Sequence, residues 1–274
     1  MKVMDNHSNE QQAATAFSKQ SVVFDTIYGE DGIIQYKRQR VRAHFAKHVP
    51  YGSSILELNC GTGEDAVFFA SEGYRVHATD AATGMLNVLQ QKVQHYNLQN
   101  RISHELCSYT QLDQLAQKGP YNALFSNFGG LNCTGELDTV LRSFDGLLQP
   151  GGTATLVIIS PFCLWEFLLV FKGMFRTATR RFFSSGGRKA RVENTFFKCW
   201  YYAPSYITRH LPAHFELVSL EGLCTIVPPS YIADFDKKHP RLFSFLKRKE
   251  NQWKSKWPFR QMGDYYIITV RKRD

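Results

Sequence analysis

Residues Ile55 to Ala66, ILELNCGTGEDA, gather the side chains best suited to holding a small polar ligand. An apolar run ends in Glu57, the chain turns through Gly61 and Gly63, and an acidic helical segment starts at Glu64 and Asp65. The pattern reads as a strand, a tight loop and a helix N-terminus. Glycines let backbone turn at positive φ or approach a ligand closely, and a helix start leaves N–H groups pointing outward. A second carboxylate, Asp80, lies 17 residues past Gly63 at the end of the next extended run, Arg75 to Thr79. In a parallel sheet an acid there stands beside the first loop, within reach of ribose hydroxyls. The chemistry indicated is nucleotide binding.

Two ligands compete for this loop. Gly61-x-Gly63-x-x-Ala66 fits the dinucleotide fingerprint G-x-G-x-x-G/A, while Glu57-x-Asn59-x-Gly61-x-Gly63 is close to the E-x-G-x-G-x-G loop of S-adenosylmethionine (SAM) enzymes. A pyrophosphate needs the positive helix end left free, yet Glu64 and Asp65 sit in the first turn, where they offset the dipole and repel a dianion. SAM carries a sulfonium and an ammonium besides its carboxylate, so Glu57 and the acidic first turn suit it better. Asn59 replaces the usual first glycine, and Asn enters the left-handed region more readily than most residues.

The elements that must position these residues follow from periodicity. Residues 1–15 are polar and read as a loose terminus. Apolar and aromatic residues from Phe17 to Val49 recur at helical spacing, broken near Gly29 to Gly32, which predicts two helices ahead of the sheet. Tyr28 and Arg38 on them are candidate contacts to a carboxylate or to the substrate. Strands are expected at 54–58, 75–79, 102–107, 123–126 and 153–159, with helices at 64–71, 84–96 and 137–148 between them. Ser108 and Tyr109 fall where a nucleotide's base would lie, and Met85 is placed to touch the adenine edge. Asn127-Phe-Gly-Gly-Leu-Asn-Cys133 is a turn at a strand's carboxyl end, where ligands of open α/β sheets collect. The alternation implies a mainly parallel, doubly wound sheet. After Ile159 the rhythm breaks into an apolar patch (Phe162 to Phe175), a basic segment (Arg176 to Arg191), a strand at 215–220, a second insertion and a last strand at 265–270.

Composition bounds the class. The chain of 274 residues is 43% hydrophobic and 14% aromatic, enough for one large α/β domain with insertions. Its six cysteines are scattered without a C-x-x-C pair and the N-terminus has no apolar signal region, which predicts a cytoplasmic protein with reduced thiols. No run reaches the roughly 18 apolar residues of a spanning helix. Residues 1–150 carry 12 Lys and Arg against 15 Asp and Glu, and residues 151–274 carry 21 against 9. The halves are therefore −3 and +12, an asymmetry that can mark an anionic partner.

With the loop, the strand-end acid, the Asn-Phe-Gly turn and a Gln-Pro-Gly-Gly turn at 149–152 in place, the chain resembles the class I SAM-dependent methyltransferases, in the broad bacterial subgroup called type 11. LELNCGTGEDA, HATDAATGML, FSNFGGLNC and LLQPGGTATLVI carry the resemblance over residues 17–160. Later pieces, SPFCLWE, ATRR, IVPPSYI, HPRLF and GDYYII, are similar to a subset of bacterial small-molecule methyltransferases. The resemblance implies a Rossmann-like doubly wound sheet of seven strands, the last antiparallel, with N-terminal helices and lid insertions. It divides the chain into a helical cap (1–50), a SAM-binding core (51–160), a lid insertion (161–214) and the end of the core sheet (215–274) with a second insertion (228–262). It also implies Glu57, Asn59, Gly61 and Gly63 around the methionine part, Asp80 on the ribose, Ala81 and Met85 near the adenine, and Asn127 and Phe128 beside the sulfonium. The family commonly has an acid after the third strand where this chain has Ser108, so a serine hydroxyl or a backbone carbonyl must accept the adenine amino group.

Methyl transfer from a sulfonium is an in-line displacement that needs alignment, exclusion of water and, for a hydroxyl acceptor, removal of a proton. No H-E-x-x-H or Cys/His ligand spacing is present, so no metal is expected. Candidate bases are His210, His214, Tyr201, Tyr202 and His239, none placed by a motif. Aromatic richness over 162–202 points to a flat or lipophilic small-molecule acceptor in an apolar pocket, with O-methylation ahead of N- or C-methylation. The alternatives are an RNA methyltransferase, suggested by the basic half although no RNA-binding module is recognisable, and a catalytically silent SAM-fold binding protein.

Overall fold

The computed structural model describes residues 5–182 and 184–274. Its centre is a seven-stranded sheet in the order β3-β2-β1-β4-β5-β9-β8. The strands are β1 (Ser54–Leu58), β2 (Arg75–Asp80), β3 (Ile102–Leu106), β4 (Tyr121–Ser126), β5 (Leu148–Ile159), β8 (Phe215–Leu223) and β9 (Tyr265–Lys272). β1 to β5 pair in parallel, whereas β9 runs antiparallel to both β5 and β8. The chain order reverses between β1 and β4, so the carboxyl ends of those strands open a crevice. The glycine loop and Asn127 stand on its two sides.

Apolar residues on both faces of the strands require helices on both sides. One face receives Val41 and Phe45 of α2 (Gly32–His48), Phe69 of α3 (Glu64–Ser71) and Leu86, Leu89 and Val93 of α4 (Thr83–His95). The other receives Leu137, Val140, Leu141 and Phe144 of α5 (Leu137–Leu147). Asp31 caps α2 by accepting N–H bonds from Ile33 and Ile34. β5 begins earlier than expected: Leu148 already pairs with Tyr121, and a register shift carries the Gln-Pro-Gly-Gly segment into the strand.

Residues 1–4 lie outside the described residues, but 5–15 are not a loose terminus. Helix α1 runs Asn6–Gly29, its N-terminus capped by Asp5, which accepts the Ser8 N–H at 2.7 Å. Its buried positions are Asn9, Glu10, Ala13, Ala16, Gln20 and Ser21, a polar and small-residue stripe that an apolar-periodicity test passes over.

The insertion after β5 holds α6 (Leu164–Leu168), α7 (Phe175–Ala178) and a hairpin of β6 (Arg188–Val192) and β7 (Thr195–Cys199), followed by α8 (Pro204–His210). The second insertion holds α9 (Phe235–Lys238) and α10 (Pro240–Trp253). Glu250 of α10 anchors it: the fully buried carboxylate accepts N–H bonds from Cys224, Thr225, Ile226 and Val227.

Gly63 precedes α3 at φ +79°, and a Cβ there would lie 2.2 Å from Leu89 Cδ1. Gly63→Ala is expected to cost about 1–3 kcal/mol, from the left-handed backbone and the contact with a buried leucine. A thermal unfolding midpoint unchanged from the native protein's would contradict this.

Candidate functional site

The glycine loop is tied to the end of β2 by one carboxylate. Asp80 Oδ2 accepts the Gly61 N–H at 2.8 Å and Oδ1 accepts the Ala82 N–H at 2.8 Å. Each oxygen keeps a lone pair for a further donor. Burial raises the Asp80 carboxyl above its ordinary pKa, and the N–H groups of Ala82, Gly61 and Ala81 offset part of that rise.

Asn59 takes φ +48°, the left-handed conformation that its place in the loop demands. Its side chain does what a glycine could not: Oδ1 accepts from Ser126 Oγ at 2.6 Å and Nδ2 donates to the Asn127 carbonyl at 3.1 Å. The loops after β1 and β4 are thereby joined. Gly130 leaves the room, since a Cβ there would stand 2.3 Å from Asn59 Cγ. In the same turn Phe128 is held at φ +49°, a strained conformation of the kind that clusters at ligand sites. Asn127 donates to Asp65 Oδ2 at 2.7 Å and accepts the Phe128 N–H at 2.8 Å.

The first-turn acids of α3 do not face a ligand as free charges. Asp65 pairs with Arg42 at 2.7 Å and with Arg38 at 3.4 Å, and Glu64 pairs with Lys92. Arg38, a candidate for a ligand carboxylate, is thus engaged by Asp65 and stacks 5.1 Å from the Phe128 ring. Glu57 is different. It is 2% exposed, its Oε2 has no hydrogen-bond partner among the described residues, and burial together with the Asp65 charge pushes its carboxyl well above the ordinary range, against the pull of Arg42 and Arg38. A buried carboxylate left in this state fits a cationic ligand group better than a phosphate.

Helix α1 closes the crevice. At one end Asn9 Nδ2 donates to the Cys133 carbonyl at 2.8 Å, and at the other Thr62 donates to Asp25 at 2.6 Å and Gly84 N–H donates to Ser18 Oγ at 3.2 Å. Between them Glu10 is the centre of a hydroxyl cluster. Its Oε2 accepts from Ser108 Oγ at 2.9 Å and Thr110 Oγ1 at 2.6 Å, and its Oε1 from Thr134 Oγ1 and Asn6 Nδ2, both at 2.7 Å. The acid missing after β3 is therefore matched by one from α1. Because Ser108 gives its hydrogen to Glu10, its oxygen is left as an acceptor.

The space beneath α1 is about 700 Å³, open solvent at its mouth included. Of the residues singled out by sequence, Asn59, Gly61, Asp80, Ala81, Met85, Ser108, Tyr109, Asn127 and Phe128 line it, and Tyr28, Arg38, Glu57 and Gly63 do not. Glu10, Ala13, Ala14, Phe17 and Phe24 of α1 line it as well and were not foreseen. The readable signal was Asp5-Asn-His-Ser8, an N-cap sequence in a segment too polar to suggest a helix. Tyr28 packs on Phe24, with ring centroids 4.6 Å apart, and Phe24 is the one that reaches the cavity.

None of the candidate bases lines this cavity. Tyr202 donates to the Thr134 carbonyl at 2.6 Å, His210 stacks on Tyr206 at 4.0 Å, and His214 Nε2 lies 2.7 Å from Asp145 beside the start of β8, the opposite edge of the sheet. Tyr201 lies over the Arg181 guanidinium at 5.5 Å, and His239 packs on Phe235 at 5.2 Å. Cys163, Glu166 and Asp264 place ligand atoms within 4.8 Å of one another. Glu166 is already paired with Arg180 and Arg181, and Asp264 with Arg181 and Lys37, so protein cations hold the charge a metal would need.

Residues 55–152 match the family model described as a methyltransferase domain. The demethylmenaquinone methyltransferase of Bacillus licheniformis is 25% identical over 148 residues, 53% of this chain, and the chain spans 61% of that relative's length. Among solved structures, 1,6-didemethyltoxoflavin-N1-methyltransferase of Burkholderia thailandensis, with 1,6-didemethyltoxoflavin and S-adenosylhomocysteine bound, is similar at a TM-score of 0.59 and 15% identity, over 100% of this chain and 93% of that one. The 4+2 cyclase SpnF is similar at 0.62 and 14%, over 97% and 96%. Residues 55–152 thus match a methyltransferase domain, and the seven-stranded sheet with its antiparallel β9 and strand-end crevice has the class I SAM-dependent methyltransferase fold.

Proposed function

We propose that the chain is a SAM-dependent methyltransferase for a small, flat or lipophilic acceptor, with oxygen favoured over nitrogen or carbon. The observation that carries the reading is the cavity beneath α1, where Asn59, Gly61, Asp80 and Ser108 converge at the strand ends. SAM, when bound, supplies an activated methyl group. The chain's part is to hold and exclude. Asp80 offers lone pairs to ribose hydroxyls, Ser108 Oγ offers an acceptor to the adenine amino group, Glu57 offers an unpaired carboxylate to a cation, and α1 keeps water out.

The acceptor side lies by Phe128. Its ring meets Tyr265 edge-on at 6.1 Å, with Lys37 5.0 Å from the Tyr265 ring. Burial works against the Lys37 ammonium, but Asp264 more than compensates and keeps it charged. Burial pushes the Tyr265 phenol up to about 12, so it stays neutral. Neither is a base at neutral pH. Lys37 and Arg38 stand near the Phe128 ring, each already paired with an acid, Asp264 and Asp65. The names of the Bacillus and Burkholderia relatives, with their flat substrates, agree with an aromatic acceptor.

Methyl-labelled SAM incubated with a panel of phenols, quinols and flat heteroaromatics, beside an RNA pool, tests this. Label appearing in the aromatic fraction is expected. Label in RNA alone would overturn the acceptor class, and binding without transfer to any acceptor would favour a silent SAM-fold protein.

Glu57 gives a pH signature. Its folded-state pKa is raised, so its ionisation costs stability, which is greatest below the unfolded value and lost as pH rises through the folded one. A cationic ligand prefers the carboxylate. SAM affinity is therefore expected to fall as pH drops through the raised pKa, by up to about tenfold per pH unit, and Glu57→Gln should flatten that slope. An unchanged slope in the variant would contradict this placement.

A further inference from the structure

We propose that residues 167–182 form a docking surface for an anionic lipid bilayer. The aromatic insertion was expected to wall an acceptor pocket, but the structure turns much of it outward. Phe167, Leu168, Phe171, Met174, Phe175 and Phe182 are all exposed, Phe171 at 83%. An apolar patch of this kind on the surface marks an interaction site rather than ordinary solvent exposure.

The patch is held from beneath, so its exposure is built into the fold. Glu166 is 1% exposed and Arg181 4%, and their ion pair ties the segment down. Arg181 also donates to the carbonyls of Ser160 and Asp264, at 3.0 and 2.9 Å. Leu164 N–H donates to the Met262 carbonyl at 3.0 Å. The segment leaves the carboxyl end of β5, the same sheet edge on which the cavity opens.

Charge selects the occupant. Residues 161–192 contain seven Lys and Arg and one acid, Glu166, which the protein's own arginines neutralise. Lys172 and Arg176, which interrupt the apolar run, make no ion pair among the described residues. Apolar side chains flanked by free cations are the composition of a segment that lies in a lipid interface and is drawn there by anionic headgroups. A second copy of the chain would set the same cations against each other across a two-fold axis. The exposed phenylalanines are stacking faces for single-stranded RNA as well, so RNA binding is one outcome of the test. No helix among the described residues is long and apolar enough to cross a membrane, so the contact is one of lying on the bilayer.

The test is co-sedimentation of the full chain with vesicles of phosphatidylcholine alone or with phosphatidylglycerol added. Binding is expected only to the anionic vesicles, and to weaken as salt is raised. Phe171→Ser with Phe175→Ser should reduce binding about tenfold or more, as should Lys172→Glu with Arg176→Glu. Both pairs should keep native affinity for S-adenosylhomocysteine, since neither touches the cavity, so a failure of the SAM reading is seen separately in the native protein. Absence of binding to anionic vesicles, binding by either variant equal to the native chain's, or binding of an RNA oligonucleotide that these substitutions abolish would overturn the proposal.

Discussion

Asp80→Ala is expected to weaken S-adenosylhomocysteine binding about a hundredfold while the sheet stays folded. Two losses add. The N–H groups of Gly61 and Ala82 lose the acceptor that fixes the loop, and the ribose loses its carboxylate. A hydrogen bond to a charged group contributes about 1.5–3 kcal/mol, and a hundredfold change in affinity corresponds to about 2.7 kcal/mol, so losing little more than one such bond suffices. The strand itself is held by its pairing with β1 and β3, which does not involve the side chain. Calorimetric titration measures the change. An affinity within a few-fold of the native value would mean that the ribose lies elsewhere.

Glu10→Ala is expected to lower unfolding free energy by about 3 kcal/mol and to weaken the same ligand by about tenfold. The substitution leaves the hydroxyls of Ser108, Thr110 and Thr134 and the amide of Asn6 without their shared acceptor. The affinity loss has a separate origin: Ser108 is freed to point its hydrogen into the cavity, and α1 loses its hold over the base side. Denaturant unfolding and calorimetry on one preparation read both effects. Glu10→Gln keeps one acceptor and adds a donor, so it should retain part of the stability and little of the affinity. Losses in Glu10→Ala with native stability and affinity in Glu10→Gln, or no loss in either, would show that Glu10 does no more than occupy space.

The sheet was legible because its strands are short apolar runs at regular spacing, ended by Glu57, Asp80 and the Asn127 turn, and glycine at 61 and 63 marks a loop whatever the ligand. The N-terminal half of helix α1 was not, because it buries Asn9 and Glu10 through hydrogen bonds where a periodicity test looks for apolar side chains. The β6–β7 hairpin carried a signal that was passed over: Glu193-Asn194 between two alternating runs, both with positive φ in the structure, 44° and 60°. Sequence also gave charges without partners. Glu64 and Asp65 read as a field for a cation, but Lys92, Arg38 and Arg42 come from distant positions to engage them. The cation field left at the site belongs to Glu57. The aromatic run after β5 was misplaced for a related reason, since hydrophobicity alone does not say whether a segment faces a pocket or the outside.

The measurement that bears most directly on the site is the crystal structure of the chain with S-adenosylhomocysteine bound. The expected result is the ligand beneath α1, with its ribose on Asp80, its adenine amino group on Ser108 Oγ and its ammonium on the side of the loop behind which Glu57 is buried. Ligand bound outside this cavity, or seated in it with Asp80 and Ser108 untouched, would contradict the assignment.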